Sequence, residues 1–410
     1  MIKNDYLKII SFTGFGFASG LPYVLILITL TAWLRDVGID LSLIGFISWI
    51  SLAYSIKFLW APFIDRFSIP FFNIFGSRRS WIVLMQIIII ISLYILSTIN
   101  PITNLSFFAF IALIIALAGS IQDIAIDAYR IESAKLEDQG NLAAGYQFGY
   151  RIAILVGSSL ALIIAANFSW SFAYQLMALI FIVNIVLSVL ISSESQNHDL
   201  QKLNHINSII EPLKDFFTRF GIKMASILLL IVATYRLTDI VMGPMANPFY
   251  IDIGFNLNEI ATVTKVFGFA ITIIGAFVGG ISVARYGISR PLILSSILLA
   301  GTNLFFLLLN NAGPDLSVLV LTISADNFAL GFSGSVFIAF LSSLTNRFYT
   351  ASQYALFTSI MFLPGIIMSG FSGQIIDAMG WSKFFIFAAS MGIPSILFSL
   401  LIVKKGWQEQ

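Results

Sequence analysis

Cysteine is absent from this chain of 410 residues, and histidine occurs only twice. The first absence excludes disulfides, thiolate metal sites and a cysteine nucleophile. Both histidines, His198 and His205, fall in a polar stretch between two apolar blocks, where they are expected to be solvated. No imidazole is left in the apolar blocks for a metal cluster or a general base, so neither an enzyme nor a bound metal or cofactor is expected. Charge is scarce too. Only 10% of residues are charged against 58% hydrophobic, and the mean hydropathy is +0.94, which no soluble surface sustains. The net charge of +2 gives no electrostatic attraction to nucleic acid. There is no Gly-x-x-x-x-Gly-Lys-Ser/Thr loop, so ATP is not expected to be a direct motor. The first twenty residues lack a short apolar core ending in a small-residue cleavage site. The first apolar run is therefore read as a retained span.

Apolar runs of bilayer-spanning length fill the rest of the chain. Twelve helices are expected at about 9–33, 43–64, 80–98, 105–129, 141–165, 170–192, 222–245, 259–283, 289–309, 315–339, 351–375 and 381–403. The longest polar break, Ser192 to Gly221, divides the chain almost in half. Of the 22 lysines and arginines, only Arg35 and Lys383 fall on the outer side when the N-terminus is placed inside. Lys57, Arg151, Arg236 and Lys265 lie within spans, and the remainder fall in inner segments, which puts both termini in the cytoplasm.

The fourth span ends in GSIQDIAIDAYRIE, Gly119 to Glu132, where the apolar pattern is broken by charge. Asp123 and Asp127 are four residues apart and Arg130 three further on, so the three share one helix face. Helical rise puts Asp123 roughly 27 Å from Leu105. Ionisable groups within a span mark pathways for substrate or protons by default. Asp123 is accordingly a proton-coupling candidate. Asp127 is either a second one or a structural partner of Arg130 or Arg151. Arg151, roughly 15 Å into span 5, needs a carboxylate from the substrate or from Asp123 or Asp127. Lys57 either snorkels to the cytoplasmic face or binds substrate. Arg236 and Asp239, three residues apart on span 7, form a self-satisfied pair, or Asp239 is a further proton-coupling candidate. Asp326, with no charged neighbour along span 10, is the clearest solitary proton site. Lys265, within two turns of the outer end of span 8, is interfacial or meets an anionic ligand. Gly20 and Pro22 in span 1 and Gly243, Pro244 and Pro248 in span 7 interrupt helical bonding and are hinge candidates.

Six spans, a cytoplasmic linker and six more spans resemble the layout of the major facilitator superfamily. The resemblance implies an N-terminal six-helix bundle over 1–192, a linker over 193–221 and a C-terminal bundle over 222–410. The loop after span 2 carries Asp65, Arg66, Arg78 and Arg79, and the loop after span 8 carries Arg285 and Arg290. Both are similar to the superfamily's signature loop, in which such groups hold helix ends together in one gating state. Here the stretch SIPFFNIFG separates Asp65 and Arg66 from the basic cluster.

A narrower likeness covers nearly the whole chain. GFASGLP (Gly16–Pro22), IKFLWAPFIDR (Ile56–Arg66), QDIAIDAYR (Gln122–Arg130), GYRIAILV (Gly149–Val156), DNFALGFSGSVFIAFLSSLTN (Asp326–Asn346), ASQYALFTSIMFLPG (Ala351–Gly365) and GWSKFFIF (Gly380–Phe387) resemble the AmpG muropeptide permeases. That family uses Lys as well as Arg at the position of Arg130, and some members carry helices beyond the twelfth. The resemblance implies a proton-driven importer of anhydro-muropeptides in the bacterial inner membrane, acting as a monomer among lipid. A carrier of organic anions, such as the related acetyl-CoA transporters, is the alternative. A polyphosphate ligand would want clustered basic groups, and Lys57, Arg151, Arg236 and Lys265 are isolated along the chain. For a sugar-bearing substrate, Gln122 is the preferred hydrogen-bonding candidate among Trp33, Tyr54, Trp60, Gln122, Gln147, Tyr150 and Gln353. Arg130, Arg151, Lys57 and Arg236 are the candidates for its carboxylates.

Overall fold

The structure is a computed structural model that describes residues 2–60, 64, 69, 76–132, 139–190, 207–346 and 350–404. Ten of its helices are long and apolar enough to cross a membrane, and two shorter apolar helices join them. In chain order they are α1 (Ile10–Asp36), α2 (Leu41–Ser55), α3 (Arg78–Thr98), α4 (Leu105–Arg130), α5 (Gly145–Asn167), α6 (Trp170–Val189), α7 (Glu211–Asp252), α8 (Leu257–Tyr286), α9 (Ser289–Ala312), α10 (Leu316–Leu344), α11 (Leu356–Ser369) and α12 (Ser372–Lys404). No strand occurs among the described residues. In hydrocarbon every backbone polar group must be satisfied within its own segment, and these apolar runs have no other regular solution.

Two glycines set boundaries that helix assignment alone would blur. Gly221 in α7 has φ 69° and separates an amphipathic stretch from the spanning helix. Gly380 in α12 has φ 79° and interrupts the helix just before the expected twelfth span. Only glycine takes such dihedrals at no steric cost, so both act as turns inside otherwise continuous helix.

Contacts divide the chain into two units. The first comprises Met1–Ile39, Ile50–Leu200 and Asn256–Ala261, and the second Asp40–Trp49, Gln201–Phe255 and Thr262–Gln410. Lipid offers no hydrophobic drive to bring helices together, so close approach through small residues has to do it. In the first unit, a Cβ on Gly149 of α5 would lie 1.8 Å from the Thr13 carbonyl oxygen of α1. One on Gly16 of α1 would lie 1.8 Å from the Tyr146 carbonyl oxygen. In the second unit, Gly275 and Gly279 of α8 meet the Phe328 and Phe332 backbone of α10 in the same way, and Gly331 of α10 meets Thr272. Aromatic packing fills the remaining space. Phe12, Phe15 and Tyr129 form one cluster, Trp33 stacks on Trp170 beside Phe108 and Tyr174, and Tyr235 stacks on Phe337 at 4.1 Å.

Candidate functional site

Asp123 is the point on which four elements of the first unit converge. Its Oδ2 forms an ion pair with the Lys57 ammonium, and its Oδ1 accepts from the Ser19 hydroxyl of α1. The Tyr146 hydroxyl of α5 lies 3.0 Å from the same Oδ1 and 2.9 Å from Ser19 Oγ, one proton facing two acceptors. Lys57 reaches the carboxylate because the chain tightens after α2 into the 3-10 turn Lys57–Leu59. The resulting pair is asymmetric. The Lys57 side chain is 37% exposed and that of Asp123 15%, so the lysine is the more open member and the carboxylate the more enclosed one. A carboxylate taken out of water must be paired and hydrogen-bonded, and Asp123 is both. Tyr23, Tyr54 and Tyr150 stand in an aromatic row nearby, Tyr23 edge-on to Tyr54 at 5.1 Å. The Tyr54 hydroxyl is buried and has no hydrogen-bond partner among the described residues.

One turn along α4, Asp127 pairs with Arg130 at 3.6 Å and is 41% exposed, far less enclosed than Asp123. Of the two partners open to Asp127, the structure shows Arg130. Arg151 is exposed, lies close to Tyr150, and forms no ion pair with Asp123 or Asp127 among the described residues.

Gln122 is fully buried, and its position follows from Pro22. Proline has no N–H, so Pro22 inside the first helix leaves the Ala18 carbonyl, four residues earlier, without its helical donor. Gln122 Nε2 supplies that donor at 2.7 Å. The side chain thus ties α4 to the break in α1, while its Oε1 has no partner among the described residues. Gly20 is packed rather than free: a Cβ there would lie 2.9 Å from that of Ala153.

In the second unit, α7 breaks at Tyr235 and Arg236, and Arg236 Nε meets Asp239 Oδ2 at 2.9 Å with both side chains largely buried. Asp326 of α10 accepts from Thr302 of α9 at 3.3 Å. It lies near enough to feel both charges of the Arg236–Asp239 pair but is bonded to neither among the described residues. A Cβ on Gly243 would meet nothing, and Pro244 and Pro248 follow it in α7.

The Major Facilitator Superfamily profile matches residues 11–369. "Putative transporter AmpG 4" of Rickettsia conorii is 33% identical over 410 residues, covering 98% of each chain. The "Anhydromuropeptide permease" of Escherichia coli K12 is 33% identical over 388 residues, or 94% of this chain and 78% of that one. The chain belongs to the major facilitator superfamily, among the AmpG-type permeases. Solved structures carry the same fold at low identity. A D-xylose–proton symporter superimposes with a TM-score of 0.69 at 14% identity, covering 99% of this chain and 97% of that one. A bacterial homologue of the lysosomal transporter Spinster gives 0.73 at 12%, covering 99% of each. The protein is therefore a multi-pass membrane transporter of small molecules, not an enzyme.

In this AmpG-type chain Arg78, Arg79 and Arg285 of the signature loops have identifiable partners. Arg79 is 2% exposed and donates to the Ser188 and Val189 carbonyls, closing the C-terminal end of α6. Arg78 donates to the Ile64 carbonyl at 3.3 Å. Arg285 is exposed and lies over the Tyr286 ring, and Arg290 is exposed near the start of α9. Asp65 and Arg66 lie outside the described residues, as do His198 and His205. Two sugar-binding candidates are committed to packing. Trp33 is core, and Gln353 bonds Pro212, Asp215, Arg219 and the Asn346 backbone. Sequence reasoning passed over Ser19 and Tyr146. Tyr146 sits one helical turn before Tyr150, and that spacing was the available signal.

Proposed function

We infer that the protein is a secondary, proton-coupled importer of anhydro-muropeptides in the bacterial inner membrane, with both termini cytoplasmic, and that the Lys57–Asp123 pair couples proton to substrate. The likeness to the Escherichia coli anhydromuropeptide permease supports the substrate class. The ion pair itself supports the coupling role. Protonation of Asp123 removes the charge that holds Lys57 and leaves an unpaired ammonium in the span. An ammonium freed in this way suits a carboxylate on the peptide part of a muropeptide. Return of the carboxylate to its charged form restores the pair and expels the ligand's carboxylate. Ser19 and Tyr146 serve both states, because a hydroxyl accepts from a carboxylic acid as readily as it donates to a carboxylate. Asp326 is a second proton site, and Arg236–Asp239 a pair of the same kind as Lys57–Asp123. Arg130 and Arg151 meet the substrate's remaining carboxylates, and the interruptions at Gly20–Pro22 and Gly243–Pro244 act as hinges. The organic-anion alternative would want clustered free cations, and Lys57 and Arg236 are each paired with a carboxylate.

The test is uptake of a radiolabelled anhydro-disaccharide tripeptide into proteoliposomes, with and without an inwardly directed proton gradient. Gradient-dependent accumulation is expected. Uptake that ignores the gradient would reduce the protein to a facilitator, and no uptake by folded protein would reject the substrate class.

A further inference from the structure

Lys265 lies on α8, roughly 12 Å along the helix from Leu257, and no acidic residue pairs with it among the described residues. Its ammonium donates to Asn247 Oδ1 of α7 at 2.9 Å. An ammonium carries three donors, and Asn247 takes one. The exposed apolar stripe of α8 runs through Val266, Ile273, Ile274, Phe277 and Ile281. Lys265 stands off that stripe, bonded to a side chain that is 2% exposed, so the lysine is turned into the protein and does not lie along its outside.

Both helices are irregular where these two residues meet. Ile260–Phe267 of α8 is wound as a π-helix, which re-aims side chains and recurs at functional sites. On α7, Pro244 and Pro248 are one turn apart and flank Asn247. Having no N–H, they free the carbonyls of Ile240 and Pro244 from helical bonds. Irregular backbone at this depth is tolerated only where it is buried in protein or lines a watered space. A cation with no carboxylate partner in such an irregular stretch has no stabilising reason to persist in a membrane protein, and charges there mark ligand pathways.

We propose that Lys265, oriented by Asn247, is an anion-binding residue that takes a carboxylate of the transported molecule. It rests on the muropeptide reading and assigns to the second unit a contact for the peptide end of that substrate. Asn247 is a positioning residue, and the remaining ammonium donors bond the carboxylate oxygens.

The experiment compares two ligands in proteoliposomes: the anhydro-disaccharide tripeptide as free acid, and the same molecule with its carboxyl groups amidated. Replacing Lys265→Gln is expected to raise the half-saturating concentration for the free acid about ten-fold or more, the scale of one lost charge-assisted bond. The amidated ligand should change less than about two-fold on the same scale. Lys265→Arg should retain most of the affinity. Asn247→Asp, which places a carboxylate against the ammonium, should reproduce the selective loss, so the inference does not hang on one variant folding. Equal loss of both ligands, or no change in either, overturns the inference; equal loss is also the result expected of a lysine that only anchors a lipid phosphate. If the unaltered protein takes up both ligands while the variants treat them alike, this inference alone fails. Should the unaltered protein take up neither, the muropeptide reading falls and this inference with it.

Discussion

In the first unit, the Asp123 carboxylate faces an ammonium and two hydroxyls drawn from three separate elements. In the second, Asp326 has one hydroxyl at 3.3 Å and Lys265 one amide oxygen at 2.9 Å. Both units spend charge inside spans, where charge is expensive, yet only one of these arrangements is complete on its own. A self-complete pair can hold a conformation and release it when a proton arrives. An incomplete one can only be finished by something that comes from outside. The second unit has a self-satisfied pair too, Arg236–Asp239, but it joins residues three apart on a single helix, whereas Lys57–Asp123 joins two helices far apart in sequence.

The comparison can be broken experimentally. Removing one member of the complete set should have the largest effect. Lys57→Met leaves Asp123 buried without its cation and is expected to destabilise the folded transporter by about 3–5 kcal/mol. The combined Lys57→Met and Asp123→Asn variant should recover most of that stability, read as the thermal midpoint in detergent. A double variant no more stable than the single would mean the pair is not the unit it resembles.

Gln122→Ala should come next. It orphans the Ala18 carbonyl that Pro22 has already freed, at a cost of about 1–3 kcal/mol. Adding Pro22→Ala should return most of it by restoring the helical donor, and no rescue in a thermal melt would detach Gln122 from the proline.

Asp326→Asn should hardly change stability, by less than about 1 kcal/mol, because the site has only one weak bond to lose. It should nonetheless abolish gradient-driven accumulation without loss of membrane insertion. Normal accumulation would remove Asp326 as a proton site. Gly243→Ala should do least, below about 0.5 kcal/mol, since nothing stands where its methyl would go. A large loss of transport with normal stability would instead mark α7 as needing that glycine to move.

The helical architecture was legible because bilayer thickness dictates span length, which needs no tertiary information. Gly221 and Gly380 lie at expected boundaries for an equally local reason, the dihedrals that only glycine adopts freely. Asp123 was legible as a charge in an apolar run. Its partner was not, because Lys57 lies 66 residues away along the chain and only the packed bundle brings the two together. Gln122 illustrates the limit in another way. Its residue type fits a sugar, but its structural role depends on the register between α4 and a proline in α1, which no pattern along one helix reveals. Lys265 was visible as a charge, but whether it faced lipid or protein had to wait for Asn247.

In the proposed mechanism the Lys57–Asp123 pair couples substrate movement to protons. The most direct measurement compares two kinds of uptake by the Lys57→Met and Asp123→Asn double variant in proteoliposomes: exchange of labelled for unlabelled muropeptide without a gradient, and accumulation against a concentration difference with one. The account predicts that exchange survives, even if weakened, while gradient-driven accumulation is lost. Accumulation at the level of the unaltered protein would contradict it, and the proton would have to be carried elsewhere.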